Sequence, residues 1–109
     1  MSWICTDINV NEIEETGRGF YLNDTEYVCI PVAGEYHVYI NACPHFGSRL
    51  EWMPNYFLDG KRQYIQCSRH EALFEKHTGL CIQGPCEKES LSKVAAEVRA
   101  GVLWIKLDD

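Results

Sequence analysis

The sequence repeats one chemical pairing, a cysteine followed closely by a histidine, at Cys43-Pro44-His45 and again at Cys67-Ser68-Arg69-His70. Each pair follows a run of residues typical of a β-strand, 36–41 before the first and 64–66 before the second. Two hairpin loops would therefore each bring one thiolate and one imidazole to a shared site. Thiolates hold iron in iron–sulfur clusters, and two neutral imidazoles replacing two thiolates on one iron make the cluster easier to reduce. The pattern suits a binuclear iron centre.

A structural zinc site is the alternative that these four ligand candidates leave open, because zinc also binds cysteine and histidine. The order of the residues argues against a common zinc finger, in which two cysteines precede two histidines. The remaining histidines, His37 and His77, have no cysteine at ligand spacing. We expect each of them to be a surface or strand residue.

The chain contains six cysteines, an even number that in a secreted protein would indicate disulfides. Its N-terminal residues are acidic and carry no export signal, so we expect reduced thiols. Cys5 and Cys29 lie in strand-like runs and are predicted to be in the core. For Cys81 and Cys86 we favour buried reduced thiols over a redox-active pair.

Short runs rich in β-branched and aromatic residues recur between turn signals, and no long, well-capped helix is evident. Hairpin turns are predicted at 33–35, at Asp59-Gly60 and at 99–101. The segment 91–98 fits both helical and strand periodicity, and we favour a strand. The predicted fold class is all-β, a small antiparallel sandwich or barrel. The predicted strands are Phe20–Leu22, Tyr27–Val32, Tyr36–Ile40, Tyr64–Gln66, Ala72–Phe74 and Val102–Leu107.

The chain has 109 residues, which corresponds to a single domain over 1–109 without an internal boundary. Its formal net charge is −6 and its basic residues are scattered, so nucleic acid is not expected as a partner. No stretch approaches the roughly 20 apolar residues of a membrane span. These features predict a soluble, cytoplasmic protein.

Around the two pairs the sequence resembles the Rieske [2Fe-2S] family, through CPHFGSRL at 43–50 and CSRHEALFEKHTGLCIQGPC at 67–86. The resemblance implies one [2Fe-2S] cluster, with Cys43 and Cys67 on the buried iron and His45 and His70 on the outer iron. It also implies that 84–85 begins a third loop that covers the cluster. Residues around the cluster would be Pro44, Phe46, Gly47, Arg69, Ala72, Phe74, Gly84 and Pro85.

Departures from the family pattern bear on the reduction potential. High-potential members carry an extra cysteine on each cluster loop, at positions that correspond here to Ser48 and Arg69. They also present serine and tyrosine hydroxyls where this chain has Ala72 and Phe74. Hydrogen bonds to cluster sulfurs stabilise the reduced state, and Glu71 adds negative charge nearby. The resemblance thus implies a potential near the lower end of the Rieske range, which spans about −150 to +300 mV.

The function implied is that of a ferredoxin, a monomeric electron carrier without catalytic residues of its own. Its partners would be a reductase and an acceptor such as an oxygenase. One alternative is a small Rieske subunit fixed in a larger oxidoreductase, and the other is the structural zinc module. The aromatic-rich segment 52–57 is interpreted as core, with a docking patch as the alternative.

Overall fold

The computed structural model describes residues 2–42, 50, 55–67, 72–84 and 89–107 of the chain. These residues form ten strands and one 3-10 helix, Val10–Glu12, and include no α-helix. No helix in this part of the chain is long and apolar enough to cross a membrane. The strands are β1 (Ser2–Asn9), β2 (Arg18–Leu22), β3 (Thr25–Val32), β4 (Glu35–Ile40), β5 (Ile65–Gln66), β6 (Leu73–Phe74), β7 (Cys81–Gln83), β8 (Lys93–Val94), β9 (Ala96–Arg99) and β10 (Val102–Leu107).

The strands form three sheets, ordered β1-β10-β9, β2-β3-β4-β8 and β5-β6-β7. Every pairing between these strands is antiparallel. The prediction of an antiparallel all-β fold is confirmed.

Strand β3 lies between two hydrophobic clusters. Its residues 27–30 are all buried, and alternate side chains point to opposite faces of a strand. Tyr27 and Cys29 pack with Leu103 and Ile105 of β10. Val28 and Ile30 belong to a second cluster, which extends to the β5-β6-β7 sheet. The middle sheet is therefore covered on both faces, which explains the continuous apolar run in the sequence of β3.

Two of the predicted hairpins have two-residue turns with left-handed backbone. Ala33 and Gly34 join β3 to β4 with φ of +48° and +85°, and Ala100 and Gly101 join β9 to β10 with +52° and +77°. Positive φ at both central positions matches the right-handed twist of the flanking strands. The third predicted turn is longer, and Asp59 closes it, because its carboxylate accepts hydrogen bonds from the backbone of Gln63 and Tyr64.

The prediction that Cys5 lies in a strand-like run is confirmed by β1, whose bounds were not predicted, but the prediction that Cys5 is a core residue is wrong. Cys5 pairs with Trp104 in the β1–β10 ladder and is only partly buried. Its Sγ lies 3.5 Å from an Asp7 carboxylate oxygen on the exposed side of the sheet. Strand β1 lies at a sheet edge, and Ile8 is its one buried residue. Cys29, in contrast, is buried as predicted.

The ambiguous segment 91–98 is extended, as favoured. The chain changes sheets here: β8 pairs with β4, whereas β9 pairs with β10. Ala95 separates the two strands, and its carbonyl accepts a hydrogen bond from the Lys106 backbone. Because the two short strands have different neighbours, the apolar residues of 91–98 follow no single strand period.

Candidate metal centre

Cys67, the first residue of the second Cys–His stretch, directly follows β5, which forms a hairpin with β6. Gln66 pairs with Leu73 in this ladder, and the Cys67 N–H donates to the Ala72 carbonyl at 2.9 Å. Cys67 therefore ends one arm of the hairpin and Ala72 begins the other. Both residues are fully buried. The hairpin geometry predicted for this loop is confirmed at its base.

The loop that carries the first stretch is closed by a side chain. Asn41 follows β4, and its Oδ1 accepts a hydrogen bond from the Leu50 N–H at 2.8 Å. At the start of the loop, the Ala42 N–H donates to the Ile40 carbonyl, which turns the chain sharply away from the strand. Asn41 and Leu50, which flank the segment 42–49, are thus adjacent.

The third loop begins at Gly84, directly against the base of the second. Gly84 has φ of +113°, a conformation that favours glycine. A Cβ atom built on this residue would lie 2.8 Å from the Ala72 Cα and 2.9 Å from the Ala72 Cβ. Only a residue without a side chain allows the two backbones to approach this closely. Gly84 and Ala72 therefore form a tight contact beside Cys67.

The residues at the bases of the first two loops belong to one buried hydrophobic cluster. It includes Leu50 at the end of the first loop, Cys67 and Ala72 at the base of the second, and Phe74 behind them. All four are fully buried, so these residues form a floor that excludes water. The low dielectric of such a floor strengthens electrostatic effects on a charged group bound above it.

Phe57 completes this floor from the aromatic-rich segment. It is fully buried in the same cluster, which confirms the core interpretation for this residue. Its ring packs so closely that a Cβ on Gly17 would lie 2.8 Å away from it. Tyr56 remains partly exposed, at 37%. Trp52 and Met53 lie outside the described residues.

Four of the predicted site residues are within the described structure: Cys67, Ala72, Phe74 and Gly84. They are brought together at the base of the second and third loops. The other predicted ligands and surrounding residues lie outside the described residues, and they are Cys43, Pro44, His45, Phe46, Gly47, Arg69, His70 and Pro85.

The buried thiols differ in what surrounds them. Burial in the core raises the pKa of Cys29 to about 12, so this thiol stays neutral and is a poor ligand. Cys81 is buried, as predicted, and its Sγ donates to the Gln83 carbonyl. Cys86 lies outside the described residues. Of these buried thiols, Cys67 is the one that ends the β5 arm of the hairpin, at the base of the loop that leads to the second histidine, which fits a cluster ligand.

His37 and His77 form a cluster away from these loops. Their ring centroids are 5.6 Å apart. Lys93 Nζ lies 3.0 Å from His37 Nδ1 and donates to the His77 carbonyl at 2.6 Å. His37 lies on β4, which agrees with its interpretation as a strand residue. In the described part of the chain, no three metal-binding side chains are grouped closely enough to hold an ion.

Sequence reasoning missed the polar residues that anchor the loops. Asn41 is only 4% exposed and bonds to both Leu50 and Glu26. Thr16 donates from Oγ1 to the Asn55 carbonyl, which anchors the segment before Phe57. An asparagine just after a strand is a turn signal, but its partners are set by tertiary structure.

Comparison with known proteins identifies the family. The model of the Rieske [2Fe-2S] domain matches residues 2–100. The search of curated proteins found no match.

Several solved structures share the fold at low sequence identity. The ferredoxin of carbazole 1,9a-dioxygenase from Nocardioides aromaticivorans IC177 is similar with a TM-score of 0.78 and 14% identity, over 96% of this chain and 97% of that chain. The terminal oxygenase of carbazole 1,9a-dioxygenase from Novosphingobium sp. KA1 is similar with a TM-score of 0.77 and 16% identity, over 98% of this chain and 30% of that one.

A chain in the reduced complex between oxygenase and ferredoxin in carbazole 1,9a-dioxygenase gives a TM-score of 0.83 at 16% identity, over 98% of this chain and 28% of that chain. This chain thus spans less than a third of the longer structures. The fully buried Cys67 thiol and the Gly84–Ala72 contact fit the cluster that defines the matched family. The chain belongs to the Rieske [2Fe-2S] domain family, and its cofactor is a Rieske [2Fe-2S] cluster.

Proposed function

We propose that this chain is a Rieske ferredoxin, which carries single electrons from a reductase to an oxygenase or another oxidoreductase. The observation that carries the proposal is the family match over nearly the whole chain. It is supported by the structural similarity to a ferredoxin, which covers both chains almost from end to end. In this role the protein binds and tunes the cluster and catalyses no reaction itself.

The proposed ligands are Cys43 and Cys67 for the inner iron and His45 and His70 for the outer iron. A [2Fe-2S] cluster with this ligand set accepts and releases one electron, at a potential set by charge, hydrogen bonds and solvent exposure. The burial of Cys67 at the base of its hairpin supports an inner position for the thiolates. Histidines nearer to the loop tips would lie at the outer edge, where a partner could approach.

The proposed potential is low for a Rieske centre. Ala72 and Phe74 are both fully buried next to Cys67, in places where hydroxyl-bearing residues would donate to cluster sulfurs in high-potential members. A methyl group and a phenyl ring cannot donate such hydrogen bonds. The more negative, reduced cluster is then less stabilised, which lowers the potential.

We further propose that the protein acts in the cytoplasm, as a monomer. Cys5 and Cys29 form no disulfide, which is expected in a reducing compartment. The net charge of −6 would steer the chain toward basic surfaces on its redox partners. Such encounters need only small interfaces and exchange quickly.

A second candidate function is that of a Rieske subunit fixed in a larger oxidoreductase. The similarity to less than a third of a terminal oxygenase favours it, because a domain of this fold also serves within a longer chain. A fixed subunit would be purified in tight association with a catalytic chain. A ferredoxin would be purified alone.

The test is an anaerobic reductive titration of the purified protein, followed by its visible absorption and by size-exclusion chromatography. A ferredoxin takes up one electron per chain, returns it on mixing with an oxidant, and migrates as a small monomer. Protein that takes up no electron would contradict the electron-carrier function. Protein that is redox-active only within a stable heteromeric complex would instead favour the fixed subunit.

A further inference from the structure

A buried side-chain amide joins the two ends of the loop that carries Cys43 and His45. Asn41 is 4% exposed, and Thr16 is the other buried polar residue in the described part of the chain. Asn41 Oδ1 accepts from the Leu50 N–H at 2.8 Å, and Nδ2 donates to Glu26 Oε2 at 3.2 Å. One amide therefore contacts the end of the loop and the neighbouring strand together.

The orientation of this amide is determined by its partners. The Leu50 N–H can only donate, so it requires the amide oxygen. A carboxylate only accepts, so Glu26 requires the amide nitrogen. An aspartate in the place of Asn41 would keep the first bond, but it would bring a second carboxylate against Glu26.

Two residues, Asn41 and Tyr21, hold Glu26 in place. It lies on β3, where its carbonyl accepts from the Asn41 backbone N–H at 2.9 Å. It pairs with Tyr21 across the β2–β3 ladder, and the Tyr21 hydroxyl donates to Glu26 Oε1 at 2.9 Å. The chain of contacts therefore runs from the rigid middle sheet, through Glu26 and Asn41, to the end of the first ligand loop.

We propose that Asn41 is a positioning residue for the cluster, which sets the separation of the two ends of loop 42–49 and so the placement of Cys43 and His45. This inference rests on the proposed function, because it takes those two residues as ligands. Glu26 acts through Asn41 by orienting its amide. Leu50 connects this end of the loop to the hydrophobic core, because it belongs to the same buried group of side chains as Cys67.

The test exchanges the carboxylate of Glu26 and the amide of Asn41 between the two positions. Asn41→Asp alone places two carboxylates in contact, whereas Asn41→Asp combined with Glu26→Gln restores a donor facing an acceptor. Glu26→Gln alone keeps an acceptor for the Asn41 amide and is expected to change little. Asn9→Asp is the matched control, because Asn9 is an exposed residue whose Oδ1 also accepts a backbone hydrogen bond and which lies at the end of β1.

The readouts are the rate of cluster loss to a chelator, the reduction potential and the EPR spectrum of the clusters that remain. We expect Asn41→Asp to lose its cluster about tenfold faster or more, the scale of a buried hydrogen bond to a charged group. Its potential and EPR spectrum should also shift. The double variant should return all three properties close to those of the wild type.

A merely structural role would lower the free energy of unfolding without changing the potential or the EPR spectrum of the intact clusters. Unchanged spectra and loss rates in Asn41→Asp would overturn the inference. If that single variant does not accumulate as folded protein, the double variant must still hold a cluster, and its failure would also overturn the inference. A wild-type protein without any cluster would instead contradict the proposed function.

Discussion

At the scale of single residues, a small change at Gly84 is expected to have a large effect. The substitution Gly84→Ala would place a Cβ 2.8 Å from the Ala72 Cα in a backbone conformation with φ of +113°. Strain and overpacking together should lower the free energy of unfolding by at least about 2 kcal/mol. Urea denaturation followed by circular dichroism measures this loss.

Gly101→Ala is the matched control for that prediction. Gly101 also has positive φ, +77°, but a Cβ there would meet nothing within 4 Å. Its replacement should therefore cost only the left-handed conformation, about 1–2 kcal/mol. Equal losses in the two variants would show that the contact between Gly84 and Ala72 is not tight.

Ala72 offers a second prediction at this scale. Ala72→Ser and Phe74→Tyr add hydroxyl donors at fully buried positions beside Cys67. Hydrogen bonds to sulfur favour the reduced cluster, and a tenfold change in its equilibrium is about 59 mV for one electron. We expect the midpoint potential to rise by tens of millivolts in voltammetry. A potential that ignores both substitutions would contradict the placement of these side chains next to the cluster.

At the scale of elements, the contact between β4, β8 and the turn after β6 is predicted to be sensitive to pH. Burial, then the nearby Lys93, holds the pKa of His37 below its ordinary value of 6.5, although Glu35 acts in the opposite direction. The ring of His77 faces it from the turn, and it also opposes the protonation of His37. The neutral imidazole is the form that accommodates the Lys93 ammonium.

The folded protein therefore binds a proton at His37 less readily than the unfolded chain does. The contribution of His37 to the free energy of unfolding is complete above pH 6.5. It falls as the pH drops from 6.5 toward the lowered pKa of His37 in the folded state. Urea denaturation at several pH values should show that the free energy of unfolding falls less below pH 6.5 in His37→Asn than in the wild type. Parallel pH profiles in the two proteins would contradict the role of His37.

The elements differ in how far their sequence predicts them. β3 and β10 were predicted because long apolar runs and simple turns suffice to define them. The bounds of β1 were not predicted, and Cys5 is not in the core, because only Ile8 of this strand is buried and its apolar residues do not alternate with polar ones. The Cys–His pairs predict the ligand site from their spacing, and Cys67 is the one proposed ligand among the described residues. Asn41 could not be found in this way, because its partner Leu50 becomes adjacent only once the loop has closed.

At the scale of the whole molecule, the net charge of −6 should govern the encounter with charged redox reagents. Oxidation of the reduced protein by a cationic cobalt complex should slow as salt is added, because attraction is screened beyond about 8–10 Å at physiological ionic strength. Oxidation by ferricyanide, an anion, should accelerate. Stopped-flow absorbance measures both rates, and an identical response to salt with both reagents would argue against electrostatic steering.

The central claim, a [2Fe-2S] cluster held by two cysteines and two histidines, is tested most directly by EPR of the reduced protein with ¹⁵N-labelled histidine. The same sample is analysed for metal and sulfide. Two iron and two acid-labile sulfide per chain are expected, as the cluster type requires. Hyperfine coupling to histidine nitrogen is also expected, altered in His45→Cys and in His70→Cys. One zinc per chain without sulfide, or a cluster without nitrogen coupling, would contradict the claim.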